Sequence, residues 1–222
     1  MRISVFRISP IVPALLVATA ALAQDKVPLK LQLPRPLFVG TPVPLNVPNL
    51  EPPLKGKRAD FMVPAGTINL SKGKKVTASD DSPVTGTLDL VTDGDKAGDE
   101  GSWVELGPGK QWVQIDLAKK ASVYAILIWH YHSQARVYRD VVVQVSDDPN
   151  FKSGVNTIFN NDFKNEVGAG AGKDQNYVET YQGKLIDAKG AQGRYVRLYS
   201  NGNTTNKLND YIEVEVWGKP AA

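Results

Sequence analysis

The chain of 222 residues has no cysteine, two histidines and two methionines. Without cysteine there can be no disulfide staple, no thiolate nucleophile and no cysteine-type zinc site. His130 and His132 are the only histidines, so a transition-metal centre built on them lacks a third nitrogen ligand. Gly-x-Ser-x-Gly, His-Glu-x-x-His and Gly-x-x-x-x-Gly-Lys are also missing, which removes the motif-based readings of hydrolase, zinc protease and phosphate-binding loop. Charge of one sign is scarce too. The 26 Lys+Arg stand against 23 Asp+Glu, too small an excess to imply a nucleic-acid partner.

The longest apolar run lies at the start. Arg2 and Arg7 precede Ile8–Leu22, and Ala21-Leu22-Ala23 supplies the small residues of a cleavage site before Gln24, so residues 1–23 read as a secretory signal peptide. A membrane anchor is the competing reading. Ser9, Pro10 and Pro13 interrupt the run and leave it short of the roughly 20 residues a span needs. No stable membrane span is expected after cleavage, and the mature protein is expected to be secreted or periplasmic. Losing Arg2 and Arg7 brings Lys+Arg from 26 to 24 against 23 Asp+Glu, a mature net charge of about +1.

Residues 24–64 hold nine prolines. Proline fixes φ and donates no hydrogen bond, so this segment cannot be a helix or an interior strand and reads as an extended linker or stalk. Its apolar residues, among them Leu29, Leu31, Leu37, Phe38 and Leu45, exceed what a solvated spacer needs. Packing against the folded domain or a partner is therefore an equal alternative.

Residues 65–219 change to short alternating segments broken by Gly, Asn and Asp. Val113, Ile115 and Leu117 share one face of a strand, and period two recurs at Val141, Val143 and Val145, at Val196 and Leu198, and at Ile212, Val214 and Val216. Ser122–Trp129 is nearly all apolar, as suits a central strand covered on both faces. Further strands are expected at Leu88–Val91, Asn156–Phe159, Tyr177–Thr180 and Lys184–Asp187, and no long helix is expected. The fold class is all-β, an antiparallel β-sandwich of the jelly-roll type. Gly168–Gly172 is expected to be a flexible loop tip.

Six segments, taken in order, resemble the discoidin domain, also called the coagulation factor 5/8 type C domain and, in bacterial secreted proteins, a galactose-binding-like carbohydrate-binding module. They are Asn69–Ser79, Leu90–Asp95, Gln111–Leu117, Val141–Asp148, Gly193–Tyr199 and Ile212–Gly218. The resemblance implies a jelly roll with one structural Ca²⁺. On the matching positions Asp93 and Glu213 give carboxylates, while Leu90, Asp95 and Ile212 give backbone carbonyls. Such a set of hard oxygens is what Ca²⁺ prefers. The chain departs from the pattern after Asp95, where Gly98 stands at a usual Ser/Thr position and Ser102 is the substitute. Without the resemblance, Asp93-Gly94-Asp95 is an ordinary turn and Glu213 and Glu215 the solvated side of a strand.

A sugar-binding face needs an apolar plane for C–H groups and fixed partners for hydroxyls. The candidate ligand residues are Trp129, His130, His132, Arg136 and Tyr138 after the central strand, with Tyr131, Gln134 and Arg139 beside them. Asn203 and Asn209 in the loop before the last strand complete the set. Trp103 and Trp112 read as packing residues. The expected function is a secreted, non-catalytic module binding a glycan or cell-surface polysaccharide, with no nucleic acid. The alternative is an extracytoplasmic protein-interaction or adhesion module. A small secreted hydrolase is a third reading, for which the fold class offers no site.

Overall fold

The computed structural model describes residues 25–37 and 45–221, so the expected signal peptide at 1–23 lies outside the described residues. Ten strands form: β1 (Lys26–Pro28), β2 (Met62–Pro64), β3 (Ile68–Asn69), β4 (Val76–Ala78), β5 (Val104–Leu106), β6 (Lys110–His130), β7 (Val142–Ser146), β8 (Asn156–Asn160), β9 (Lys184–Asn201) and β10 (Asn209–Pro220). A 3₁₀ turn occupies Leu88–Thr92, where the sequence had indicated a strand. Tyr177–Thr180, also expected to be a strand, is irregular chain. Among the described residues no helix is long and apolar enough to cross a membrane.

β6 and β9 form one antiparallel ribbon that serves both layers. Its first arm, Lys110–Asp116 with Tyr195–Asn201, is flanked by β4 on one side and by β7 and β8 on the other. Its second arm, Ala121–Ile128 with Lys184–Gly193, is flanked by β10, which also takes β3 and β5. The turns between arms fall at Ala118 (φ 69°) and Lys189 (φ 53°), a conformation that costs a side-chain-bearing residue about 1–2 kcal/mol. At both places an aspartate two residues earlier offsets part of that cost. Asp116 Oδ1 accepts from Ala118 N–H at 2.8 Å, and Asp187 Oδ1 accepts from Lys189 N–H at 2.9 Å. Arg194 then grips Asp116 with two donors at 2.7 and 2.8 Å, holding the two arms together.

The alternation seen in the sequence explains the core. Val113, Ile115, Val143, Val145, Val196 and Leu198 from one layer meet Ile126, Ile128, Ile186, Val214 and Val216 from the other in a single buried cluster. That interlayer core is the main stabilising term of the sandwich. Val141, Val143 and Val145 share the core as expected, but Ile212 does not join Val214 and Val216. A register shift between Tyr211 and Glu213 turns Ile212 to the outer face, where it packs with Leu127 and Trp129.

That outer face is covered. Leu29 and Leu31 of the proline-rich segment pack on the Leu127–Trp129–Ile212 cluster, so this stretch lies along the domain. β1 pairs with β2, Leu29 N–H donates to Phe61 O at 2.8 Å and Ala65 N–H to Asp25 O at 2.8 Å. A second limb, residues 45–58, runs beside residues 176–184. Glu51 N–H donates to Asn176 O at 2.8 Å, Asn176 N–H to Asn49 O at 3.0 Å, and the Asn176 side chain to Pro48 O at 2.8 Å. Prolines make this strap stiff and donate no hydrogen bond, so its N–H donors come from the residues between them while a proline carbonyl such as Pro48 O still accepts.

Candidate functional site

Two loops meet at the end of β6. Arg139 N–H donates to Gly202 O and Thr204 N–H to Val137 O, each at 3.0 Å, while Tyr138 and Asn203 form an antiparallel bridge. The convergence expected from the sequence is therefore present, but the residues in it do different work from that expected.

His130 is fully buried. Its ring stacks on Tyr138 with centroids 4.2 Å apart and 17° between planes, and its Nδ1–H donates to Glu179 Oε1 at 2.6 Å. Tyr138 donates its hydroxyl to Asp210 Oδ2, and burial followed by the Asp210 charge holds its phenol well above the usual range. Arg136 Nη1 reaches the same Asp210 oxygen at 3.2 Å. Glu105 sits opposite Asp210 across β5 and β10, and burial, then the hydrogen bond to Asp210, raises its carboxyl to about 7. The result is a buried polar network that fixes the loop, though Glu179 Oε2, His130 Nε2 and Arg136 Nε have no partner among the described residues.

Several expected ligand residues are corrected by this geometry. Trp129 is 0% exposed and donates Nε1–H to Tyr181 O at 2.9 Å, so it offers a sugar no face. His130 and Tyr138 are stacked inside. Asn203 Oδ1 accepts from Thr205 and Asn206 N–H at 2.8 and 3.0 Å, and its amide donates to Asn206 Oδ1 and Leu208 O at 2.8 and 3.1 Å. Asn209 accepts from Ser200 and Gly202 and donates to Gly107 and Gly109. Both asparagines build the loop and have no polar atom to spare. The turn composition marked them, but sequence cannot distinguish an asparagine that holds a loop from one that a loop presents.

What the loop end does present is Tyr131, half-buried, with the Arg136 guanidinium 4.3 Å from its ring centroid and Trp103 edge-on at 5.0 Å. Trp103 packs, as expected, on the Leu127–Trp129–Ile212 cluster, and its contact with Tyr131 places it at this end. Gln134 is exposed and accepts from Arg136 at 3.4 Å. His132 donates from Nε2 to Lys96 O at 2.9 Å. A cavity of about 710 Å³ opens beside His132 and Ala135, between residues 175–185 and the strap residues Pro36, Leu37, Glu51–Leu54, Gly56 and Arg58. Arg58 donates to the carbonyls of Gln182 and Gly183, and Lys184 pairs with Glu51. Reading 177–180 as a strand hid this wall from the sequence.

The metal positions divide. The loop after the 3₁₀ turn crosses the outer face of β10, where Gly94 N–H donates to Glu213 Oε2 at 3.1 Å. Glu213 is 0% exposed, and its Oε1 has no hydrogen-bond partner among the described residues. Burial raises its carboxyl to about 9, with the Glu215 and Asp93 charges adding to the rise. An orphaned buried carboxylate oxygen near a second carboxylate is a place a cation fits. Asp93 and Asp95 are exposed and their Oδ1 atoms accept from Asp95 and Ala97 N–H at 2.7 and 2.9 Å, the turn reading of that segment. Ser102 donates to Asp99 O at 2.7 Å, and no contact carries it to Glu213. Among the described residues no three His, Cys, Asp or Glu side chains converge on one point. Glu213 and Glu215 are also not the solvated strand face they were read as. Lys96, half-buried, pairs with the buried Glu215 at 2.6 Å, and Trp217 Nε1–H donates to Glu215 at 2.9 Å.

Gly168–Gly172, read as a flexible tip, is pinned. Buried Asp162 accepts from Glu166 and Val167 N–H at 3.0 and 2.7 Å, Gly172 N–H donates to Asp162 O at 2.7 Å, and a Cβ at Gly172 would lie 2.4 Å from Asn160 O.

Among solved structures, the chain is similar to a truncated AlyQ holding a carbohydrate-binding module of family 32 and alginate lyase domains. Identity is 17% over 70% of this chain and 34% of that one, with a TM-score of 0.51. It is likewise similar to a family 89 glycoside hydrolase from Clostridium perfringens, at 20% identity over 69% of this chain and 15% of that one, TM-score 0.51. These likenesses concern the fold. No curated protein sequence matches the chain. Residues 75–214 match the F5/8 type C domain, more than half of the chain and the whole span from β4 into β10, and the protein therefore belongs to the F5/8 type C domain family.

Proposed function

We propose that this protein is a secreted or periplasmic, non-catalytic carbohydrate-binding module with a structural Ca²⁺. The observation that carries the reading is the end of β6, where the Arg136 guanidinium stacks on the Tyr131 ring and Trp103 meets it edge-on, while His132 and Ala135 of the same loop line a cavity. Aromatic planes beside fixed polar groups suit the alternating apolar and hydroxyl faces of a pyranose. Family membership supports the reading, as do fold relatives that are a carbohydrate-binding module with alginate lyase domains and a glycoside hydrolase. The buried network of Glu179, His130, Tyr138, Asp210 and Arg136 holds the aromatic groups in place.

Ca²⁺ in this reading is held by Glu213 and Asp93, with the carbonyls of Leu90, Asp95 and Ile212 as further donors. Bound there, it would engage the unmatched Glu213 Oε1 and tie the loop after the 3₁₀ turn to β10. A glycan array probed with the full chain, with and without chelator, tests the proposal. Binding to a defined saccharide class supports it. Recovery of one specific protein partner with no glycan bound would replace it with a protein-interaction module.

A further inference from the structure

We propose that the proline-rich strap is one wall of the ligand site, and that the cavity between strap and sandwich takes a neutral, hydroxyl-rich saccharide. This rests on the carbohydrate-binding reading and goes beyond it, because Pro36, Leu37, Glu51, Leu54 and Arg58 all precede the family-matched residues 75–214.

Four observations carry it. The cavity, about 710 Å³, is within the roughly 300–1,000 Å³ usual for ligand sites. Its cations are engaged, with Arg58 donating to two carbonyls and Lys184 paired with Glu51, and the carboxylates of Glu51 and Glu179 in the same lining oppose an anion. Three residues of the sandwich wall, His132, Tyr177 and Glu179, are 3%, 2% and 3% exposed, and each leaves a polar atom without a partner among the described residues: Nδ1, the hydroxyl and Oε2. Folded proteins pair nearly all such atoms; these three are shielded, but they belong to residues that line one cavity, where a small shift of the wall would let polar groups from outside reach them. Sugar hydroxyls, and the waters they carry, can donate to Glu179 and accept from Tyr177. A hydrocarbon would leave all three unmet, and an anion would face Glu51 and Glu179. Finally, Leu54 is 52% exposed at the opposite wall, beside Pro36, Leu37 and Pro52, an apolar surface for the C–H side of a sugar ring.

The test uses the full chain. Calorimetric titration would use neutral trisaccharides to hexasaccharides of galactose, glucose and N-acetylglucosamine, with oligomannuronate as the anionic comparison. Amide hydrogen exchange would follow residues 51–58. The expected result is binding of a neutral oligosaccharide, slowed exchange at 51–58, and about tenfold weaker binding in L54D and R58A, with an unchanged melting temperature for L54D. V84D, at a remote residue 59% exposed, controls for added surface charge and should bind as the parent does. Saccharide binding indifferent to L54D and R58A, with no protection at 51–58, overturns the strap proposal and leaves the carbohydrate reading standing. Binding of oligomannuronate alone overturns the neutral ligand. If no saccharide binds the folded chain, the carbohydrate reading fails and this inference with it.

Discussion

The backbone N–H of Gly94 donates to the Glu213 carboxylate at 3.1 Å, joining the loop after the 3₁₀ turn to the outer face of β10. The second carboxylate oxygen is buried and unmatched, which makes this rim the point where cation occupancy should be felt most.

On the calcium proposal, Ca²⁺ at a hundredfold excess over its Kd stabilises the fold by about 2.7 kcal/mol, a rise of several degrees in melting temperature. EDTA should reverse it. In E213Q the melting temperature should not respond to either addition. An equal Ca²⁺ response in E213Q would remove Glu213 from the site.

Glu105 gives a pH dependence. Its folded carboxyl titrates near 7 because of burial and then Asp210, above the roughly 4.3 of an unfolded glutamate. The unfolded chain therefore loses this proton first as pH rises. Stability falls between about pH 4.3 and 7 and levels off above that window. E105Q should flatten this part of the denaturation profile, and an unchanged slope would contradict the assignment.

Legibility in the sequence followed periodicity. The arms of β6, the valines of β7 and the strands β8 and β9 could be read because each alternation has one core-facing side. Ile212 was misassigned because a one-residue register shift reverses a face, and nothing in Ile212–Val216 announces it. Leu88–Val91 is apolar enough for a strand and becomes a 3₁₀ turn, the ambiguity inherent in short apolar runs. At the site, residue type was a poor guide to exposure. Trp129 and His130 lie under the strap and in the core because segments far away in sequence, around Leu29 and Glu179, come to cover them.

Arg136 is one such residue. It pairs with Asp210, whose side chain is 1% exposed, so R136A leaves a buried charge uncompensated. A loss of about 3 kcal/mol in urea unfolding is expected. Weaker sugar binding by this variant would thus report folding as well as contact. A stability change below about 0.5 kcal/mol would show that the pair is solvated and that Arg136 is free for a ligand.

Gly183 joins the cavity wall to Trp129. Its φ is +63°, and a Cβ there would fall 2.6 Å from the Trp129 ring. G183A should therefore cost about 3 kcal/mol through backbone strain and overpacking together. Its Trp129 fluorescence should also change. A variant as stable as the parent would mean that the 175–185 segment does not close on the tryptophan.

The most direct measurement is chemical-shift mapping of the isotope-labelled full chain during titration with the neutral oligosaccharides. Saturable shifts are expected in the amides of Tyr131–Arg136, of residues 175–185 and of the strap at 51–58, with the rest of the sandwich still. A folded protein whose spectrum no saccharide alters, or whose shifts gather on the opposite end of the two layers, would contradict it.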